Sequence, residues 1–352
     1  MILTNPFTSD PRVLKEAIFY INNGYKVEVL AWDRECINRE TDDLYGVKIK
    51  RFAVRSEYGQ GIKKQLFAYL RFKKECKKYL KKEKFDILHC HDLDGAIVGL
   101  AIHKKNITKI FDMHEYYLTR NSKIGNLIMN QLVRHIQNKF NWIIFLNDKQ
   151  KRDVKVQNIN KLIFLPNYPE KKLFDNFTKT VSDKIRIGYV GSIRNILAFE
   201  NLFKSIKSSN KLTVELYGNG VTAEYLKKYE SENIRFYGFY VYSQLKDIYQ
   251  NIDLMYCVYD NLKNDTYPVK YLEALAAHIP VIVDKNSIAS KLIEKYDIGF
   301  LVDVNDFSTY LDLINKLENN IDIVGRKTAN FKNLNEQLYW ENVVNNLSKC
   351  LK

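Results

Sequence analysis

The stretch 264–283, NDTYPVKYLEALAAHIPVIV, sets Lys270 and Glu273 three residues apart behind Pro268, ahead of an alanine-rich run and a β-branched run. Proline is tolerated in the first turn of a helix, where its missing N–H is not needed. The N–H groups near Val269 and Lys270 would then lack helical partners and point outward. Lys270 adds a point charge suited to a phosphate. Glu273 shares a helical face with Lys270. A carboxylate repels phosphate but accepts hydrogen bonds from neutral hydroxyls such as those of a ribose. Free amides, a lysine and a hydroxyl-binding carboxylate together describe a nucleoside-diphosphate site. Taken alone, the pair can also be read as an ordinary Lys–Glu helix contact.

Two further strand-to-helix turns carry the same chemistry. After IRIGYV come Gly191, a tight-turn residue, and Arg194 at a helix entrance, a combination that suits phosphate. After LTVELY come Gly218, Asn219 and Gly220, a weaker signal because a lone GxG recurs in many loops. In the first half, His91-Asp92 follows one strand and His114 ends another. A neutral histidine there can hydrogen-bond a sugar hydroxyl or assist proton movement near neutral pH, although a strand-ending histidine is as often structural.

These residues need a scaffold that brings strand ends together. Short β-rich runs alternate with helical segments along the whole chain, the pattern of parallel α/β sheets. The 352 residues exceed one ordinary core. Two doubly wound, Rossmann-like domains facing a cleft are therefore predicted. The N-terminal one spans 1–167 and the C-terminal one 185–334. Between them 168–184 reads as a linker, and 335–352 as a final helix packing back toward the N-terminal domain. In such sheets ligands sit outside the carboxyl ends of the strands.

The net charge of +14 points to anionic partners. Residues 63–84 hold ten Lys or Arg against two Glu, with Leu66, Tyr69, Leu70, Cys76 and Leu80 on one helical stripe. A basic amphipathic helix of this kind suits an anionic membrane surface, and is also what a solvated face of a lysine-rich protein looks like. No recognition motif supports specific nucleic-acid binding. No apolar run is long enough to span a bilayer. The N-terminus lacks signal-peptide features, and the five cysteines show neither zinc nor redox spacing. A cytoplasmic protein, peripherally associated with the membrane, is the expectation.

The segment from Glu273 through Ala274, Ala276, Ala277, Pro280, Val281 and Ile282 resembles the C-terminal domain of the retaining glycosyltransferases of family four, of the two-Rossmann (GT-B) architecture. The start SDPRVLKEAIFYINNGYKVEVLAWDR and the segments ILHCHDLDGAIVG, FDMHEYY and LPNYPE resemble that family in order and spacing. The sequence departs from it in two places. Asp265 stands where the family has a first glutamate, seven residues before Glu273, and the loop Asn5–Asp10 has no glycine.

The resemblance implies that Glu273 binds the ribose, that Asp265 contacts the transferred sugar, and that Arg194 and Lys270 hold the diphosphate, with Gly191 and Gly218 beside it. It implies that His114 faces the donor sugar, and that Asp10, Arg12, His91, Asp92 and Glu115 lie on the acceptor side. Retention and independence of any metal are likewise implied, with no cofactor beyond the nucleotide-sugar substrate. Asp92-Leu93-Asp94 imitates an Asp-x-Asp metal site, but lies in the half opposite the nucleotide.

The expected reaction moves a sugar from a nucleotide-diphosphate donor, a UDP-sugar being favoured, to a saccharide or lipid-linked acceptor in cell-surface polysaccharide or glycolipid synthesis. Arg, Lys and helix amides neutralise the leaving diphosphate. A sugar-nucleotide epimerase of the same fold would need a dedicated acid–base pair that is not evident. A non-catalytic partner subunit is the other alternative, motivated by Asp265 and the glycine-free first loop.

Overall fold

The computed structural model describes residues 1–8, 10–56, 62–114, 117, 123–154, 156, 158–259, 267–320, 322–334 and 338–351, the side chains of Ile62 and Asp153 excepted. The chain divides into two compact units, Met1–Pro166 with Val343–Lys352, and Asn167–Asn342.

The first unit is built on β1 (Ile2–Leu3), β2 (Glu28–Asp33), β3 (Thr41–Leu44), β4 (Val47–Ala53), β5 (Ile87–His91), β6 (Thr108–Asp112), β7 (Trp142–Phe145) and β8 (Leu162–Phe164). Their order in the sheet is β3-β4-β2-β1-β5-β6-β7-β8. All pairs are parallel except β3 with β4. The antiparallel edge strand β3, TDDL, is polar and largely exposed. It has no apolar alternation and was not expected from sequence.

The second unit carries β9 (Ile185–Val190), β10 (Leu212–Tyr217), β11 (Ile234–Gly238), β12 (Leu254–Cys257), β13 (Val281–Asp284) and β14 (Gly299–Val302), ordered β11-β10-β9-β12-β13-β14 and parallel throughout. Both units are thus doubly wound. The strand order reverses between β1 and β5 in one sheet and between β9 and β12 in the other. Ligand crevices in such sheets open at these points, beyond the carboxyl ends of the strands.

β9 is buried at every position and β10 at all but its last. Helix Ile196–Ile206 seals one face with Phe199, Leu202, Phe203 and Ile206, while Tyr249, Tyr271 and Leu275 fill the other. In the first unit, Trp32 stacks on Phe72 at 5.1 Å between ring centroids. That contact selects Ala68, Phe72, Cys76 and Leu80 as the buried stripe of helix Ile62–Lys82. Leu66 and Leu70, assigned to the stripe from sequence, face solvent instead.

Two boundaries also differ from expectation. Residues 168–184 are not a free connector: Leu173 and Phe174 are buried in the second core, and Pro169 O accepts a hydrogen bond from Trp340 N–H at 2.8 Å. Among its described residues the tail forms no α-helix. Trp340–Asn342 and Val344–Cys350 are 3-10 turns, consistent with an Asn-rich sequence of low helix propensity. The piece from Val343 onward belongs to the first unit, with Leu347 and Cys350 buried. Among the described residues no helix is long and apolar enough to cross a membrane, and the five cysteines are free.

Candidate active site

At the switch point of the second sheet, β9 ends in Gly191, whose φ of +122° is disfavoured for any residue with a Cβ. Gly218 ends β10 at φ +129°, and a Cβ there would stand 2.1 Å from Gly191 O. Gly191 N–H donates to Tyr217 O at 2.8 Å and Ile193 N–H to Asn219 O at 3.0 Å. Gly218 N–H donates to Gly238 O at 2.6 Å. Expected among the donor-binding residues, Gly218 spends its amide within the fold. Its part is to let two strand-end loops touch.

Helix Val269–Ala276 opens beside this loop pair, with Pro268 as its N-cap at φ −59° and ψ 145°. Pro268 O accepts from Tyr271 N–H at 3.0 Å. The N–H groups of Val269 and Lys270 precede any intrahelical acceptor. Lys270 is buried, its Nζ 3.2 Å from the centre of the Tyr189 ring. A Cβ on Gly191 would lie 3.4 Å from that Nζ. Burial is the main cause that pushes the Lys270 ammonium down to about 7; the nearby Arg194 acts in the same direction, and Cys257 and Glu273 oppose it. Arg194 is exposed, with Nε donating to Ser192 Oγ at 2.8 Å. Gly191, Arg194 and Lys270 thus converge.

Glu273 lies one turn further on and is also buried. Tyr249 OH donates to its Oε2 at 2.5 Å, which fixes the carboxylate while leaving it acceptor capacity. Tyr189 and Tyr249 were not expected from sequence, since each reads there as a core aromatic. Asp265 lies outside the described residues, as does Glu115 of the first unit.

At the switch point of the first sheet, a second cluster gathers around Asp112, the last residue of β6. Its Oδ2 is 2.8 Å from His114 Nε2, 3.0 Å from Arg12 Nε and 3.2 Å from His91 Nδ1, while Oδ1 accepts from Arg12 Nη2 at 2.8 Å. Burial opposes ionisation here, but Arg12 and His114 outweigh it and hold the Asp112 carboxyl well below the usual range. Burial, the largest influence on His114, also opposes charge. Asp112 and Asp92 overcome it and raise the imidazolium to about 9. His114 Nδ1 lies 3.3 Å from Asp92 Oδ2, and Tyr117 OH donates to Asp92 Oδ1 at 3.1 Å. His114 is therefore a cation at neutral pH, correcting the neutral histidine expected from sequence.

The other acceptor-side candidates are placed differently from one another. Asp10 caps helix Pro11–Asn22, accepting from Val13 N–H at 3.1 Å and from Asn5 Nδ2 at 3.0 Å. Arg12 is buried, and its Nη1 also donates to Leu165 O at 3.0 Å. His91 is fully buried. Arg12 and His91 are buried, and among the described residues their polar contacts are to other protein groups, so they support the site and do not line it. Asp92 is partly exposed and adopts φ +58°, an uncommon conformation that aims its carboxylate at His114.

Behind this layer Glu16 lies 3.1 Å from Arg12 Nε and 3.3 Å from His89 Nε2. Burial and Asp112 push its carboxyl well above the ordinary range. Glu16, His89, His91 and Asp112 offer ligand-type atoms within 4.8 Å of one another. The two imidazoles are stacked at 4.4 Å and 15°, however, so a metal in the plane of one ring lies out of the plane of the other. Arg12 already spans both carboxylates. These residues do not fit a metal ion.

The comparisons agree with this architecture. The model of Glycosyltransferase Family 4 matches residues 15–167 and that of Glycosyl transferases group 1 matches residues 170–334. Among solved structures, sucrose-phosphate synthase from Thermosynechococcus elongatus is similar with a TM-score of 0.76 at 13% identity, over 99% of this chain and 96% of that one. HepE from Anabaena in complex with UDP gives 0.69 at 12% identity, over 99% and 98%. An α,α-trehalose-phosphate synthase (UDP-forming) from Burkholderia xenovorans gives 0.69 at 10% identity, over 99% and 98%. No curated sequence matches at a significant level. With each unit matching one half of the family and both sheets doubly wound, the chain belongs to the family-four glycosyltransferases of GT-B architecture.

Proposed function

We propose that the enzyme transfers a sugar from a nucleotide-diphosphate donor, a UDP-sugar being favoured, to a saccharide or lipid-linked acceptor in cell-surface polysaccharide or glycolipid synthesis, with retention and without a bound metal. The observation that carries this reading is the pairing of buried Lys270 with buried Glu273 at the switch point of the second sheet. UDP bound in HepE supports the choice of nucleotide.

Breaking a glycosyl–phosphate bond leaves a diphosphate anion and an oxocarbenium-like carbon. Lys270, Arg194 and the opening amides of helix Val269–Ala276 neutralise the anion, which is work a metal would otherwise do. A well-placed donor of this type contributes ~3–4 kcal/mol to the transition state. Glu273, held by Tyr249, accepts the ribose hydroxyls. On the first unit, the His114 imidazolium, its Nε2 held by Asp112, exchanges the longer Nδ1 contact with Asp92 for a substrate hydroxyl. In a retaining transfer the leaving phosphate takes the acceptor proton on the same face, so no carboxylate pair of the glycosidase kind is needed. The reaction takes place at the cytoplasmic face of the membrane, where the lysines of residues 63–84 meet anionic lipid.

The test is thermal stabilisation by UDP, GDP, ADP and dTDP of the wild type and of Glu273→Ala, with and without EDTA. A diphosphate at 100 times its dissociation constant adds ~2.7 kcal/mol. UDP stabilising the wild type but not the variant, regardless of EDTA, is the expected result. No response to any nucleotide overturns the donor assignment.

A further inference from the structure

Two helices of the first unit expose apolar side chains that their own cores do not use. On helix Ile62–Lys82, Leu66, Phe67 and Leu70 are 54%, 69% and 47% exposed. On helix Lys123–Lys139, Ile124, Leu127 and Ile128 are 72%, 60% and 63% exposed. The second trio follows i, i+3, i+4 spacing and so shares one face. Single exposed leucines are ordinary, whereas two grouped trios are not.

Topology brings both groups to the same end of the sheet. Each helix leads from the carboxyl end of one parallel strand to the start of another, from β4 to β5 and from β6 to β7, so its first turns lie at the carboxyl ends. Helix Asp92–Leu100 packs against both and lies between them. Tyr69 OH donates to Asp94 O at 2.6 Å, which ties the first trio to the turn that carries Asp92. The apolar groups therefore flank the end of the sheet where Asp92 and His114 stand.

The two helices are strongly cationic. Helix Ile62–Lys82 has Glu75 as its sole acidic residue, against exposed Lys63, Lys64, Lys74, Lys77 and Lys78. Helix Lys123–Lys139 has no acidic residue and carries Lys123, Arg134 and Lys139. Apolar side chains on lysine-rich helices complement an anionic bilayer, with phosphate headgroups meeting the lysines and hydrocarbon meeting the apolar trios. A second protein copy would set this positive surface against itself.

We infer that the two apolar trios insert together into the hydrocarbon boundary of an anionic membrane, holding the His114 end of the first unit against the bilayer where a lipid-linked acceptor emerges. This rests on the membrane-surface reading above and extends it from electrostatic contact to insertion, and the two differ in their response to salt. Contact through lysines alone is screened at high ionic strength, whereas inserted side chains are not.

The experiment is flotation of the full chain with phosphatidylcholine vesicles containing phosphatidylglycerol, at about 0.1 M and about 0.5 M salt. The wild type is compared with Ile124→Ser/Leu127→Ser/Ile128→Ser and with Lys73→Glu/Lys74→Glu/Lys77→Glu/Lys78→Glu. The expected result is a salt-resistant fraction of wild-type binding that the serine variant loses at least tenfold, about 1.4 kcal/mol. The serine variant should keep the wild-type melting temperature, because all three positions are exposed. A Leu127→Trp variant should show added fluorescence that brominated lipid quenches. Serine and wild-type proteins floating alike at both salts, with the glutamate variant lost, would overturn insertion and leave electrostatic docking standing. No flotation of the wild type at either salt would overturn both. A wild-type dimer that the serine variant dissociates, without flotation, would assign the surface to self-association and overturn the proposal.

Discussion

The ammonium nitrogen of Lys270 stands 3.2 Å from the centre of the Tyr189 ring, inside the second unit and beside Gly191. The ring face offers a partial substitute for water. It does not offset burial, which brings the lysine down to about 7. The free site is thus poised to take up a proton when an anion arrives.

UDP binding should therefore be coupled to proton uptake at pH 7.5, read by calorimetry in buffers of different ionisation enthalpy. A bound diphosphate raises the Lys270 pKa, so affinity is greatest below about 7 and weakens as pH rises above it, by up to about tenfold per unit. Lys270→Ala should abolish the uptake and the pH slope. An unchanged slope in the variant would show that another group titrates.

His114 has its pKa shifted in the opposite direction from that of Lys270. Its folded pKa of about 9 lies above the ordinary value of 6.5. The stability it contributes is fully present below about 6.5 and is lost as pH rises through about 9. Asp112→Asn removes the carboxylate that raises it. The ring protons of His114, followed by NMR, should then titrate well below 9.

The ion pair between Arg12 and Asp112 should behave as a buried pair does. Arg12→Met leaves the carboxylate without its main counter-charge, and a destabilisation of ~3–5 kcal/mol in urea unfolding is expected. The double variant Arg12→Met/Asp112→Leu should recover part of that loss. Additive losses would mean that the two residues do not act as a pair.

Glycine positions provide a contrast within one unit. Gly218→Ala drives a methyl group against Gly191 O and should lower the melting temperature and remove UDP stabilisation. Gly325, in helix Asp322–Ala329, has no atom within 4 Å of its would-be Cβ. Gly325→Ala should stabilise by ~0.5–1 kcal/mol with UDP binding unchanged.

Tyr249→Phe removes the hydroxyl that fixes Glu273. A loss of ~0.5–1.5 kcal/mol in UDP binding, measured by titration calorimetry, is expected. The same variant should bind inorganic diphosphate like the wild type if, as proposed, Glu273 serves the ribose and not the diphosphate.

Much of the architecture was legible in the residues themselves. The alternation of β-branched runs with helical segments specified two parallel sheets, because strand and helix periodicities are local properties. Lys270, Glu273, Arg194 and Gly191 could be chosen because each follows a strand, where parallel sheets place their ligands. Local pattern failed where a residue's meaning depends on distant partners. Asp112 reads as the end of an apolar run, and its Arg12 partner is 100 residues away. Burial and the charge of Arg12 oppose ionisation of His114, but Asp112 and Asp92, brought to it by the fold, raise its pKa and so set it against the neutral reading. Tyr189 and Tyr249 pass for core aromatics until folding brings Lys270 and Glu273 beside them. Leu66 and Leu70 fit a buried helical stripe as well as Ala68 and Phe72 do, and only the stack of Phe72 on Trp32 decides which set faces the core. Sequence determines which segments become strands and helices and which side chains are capable of the chemistry; tertiary packing decides which of those side chains are desolvated, paired and charged.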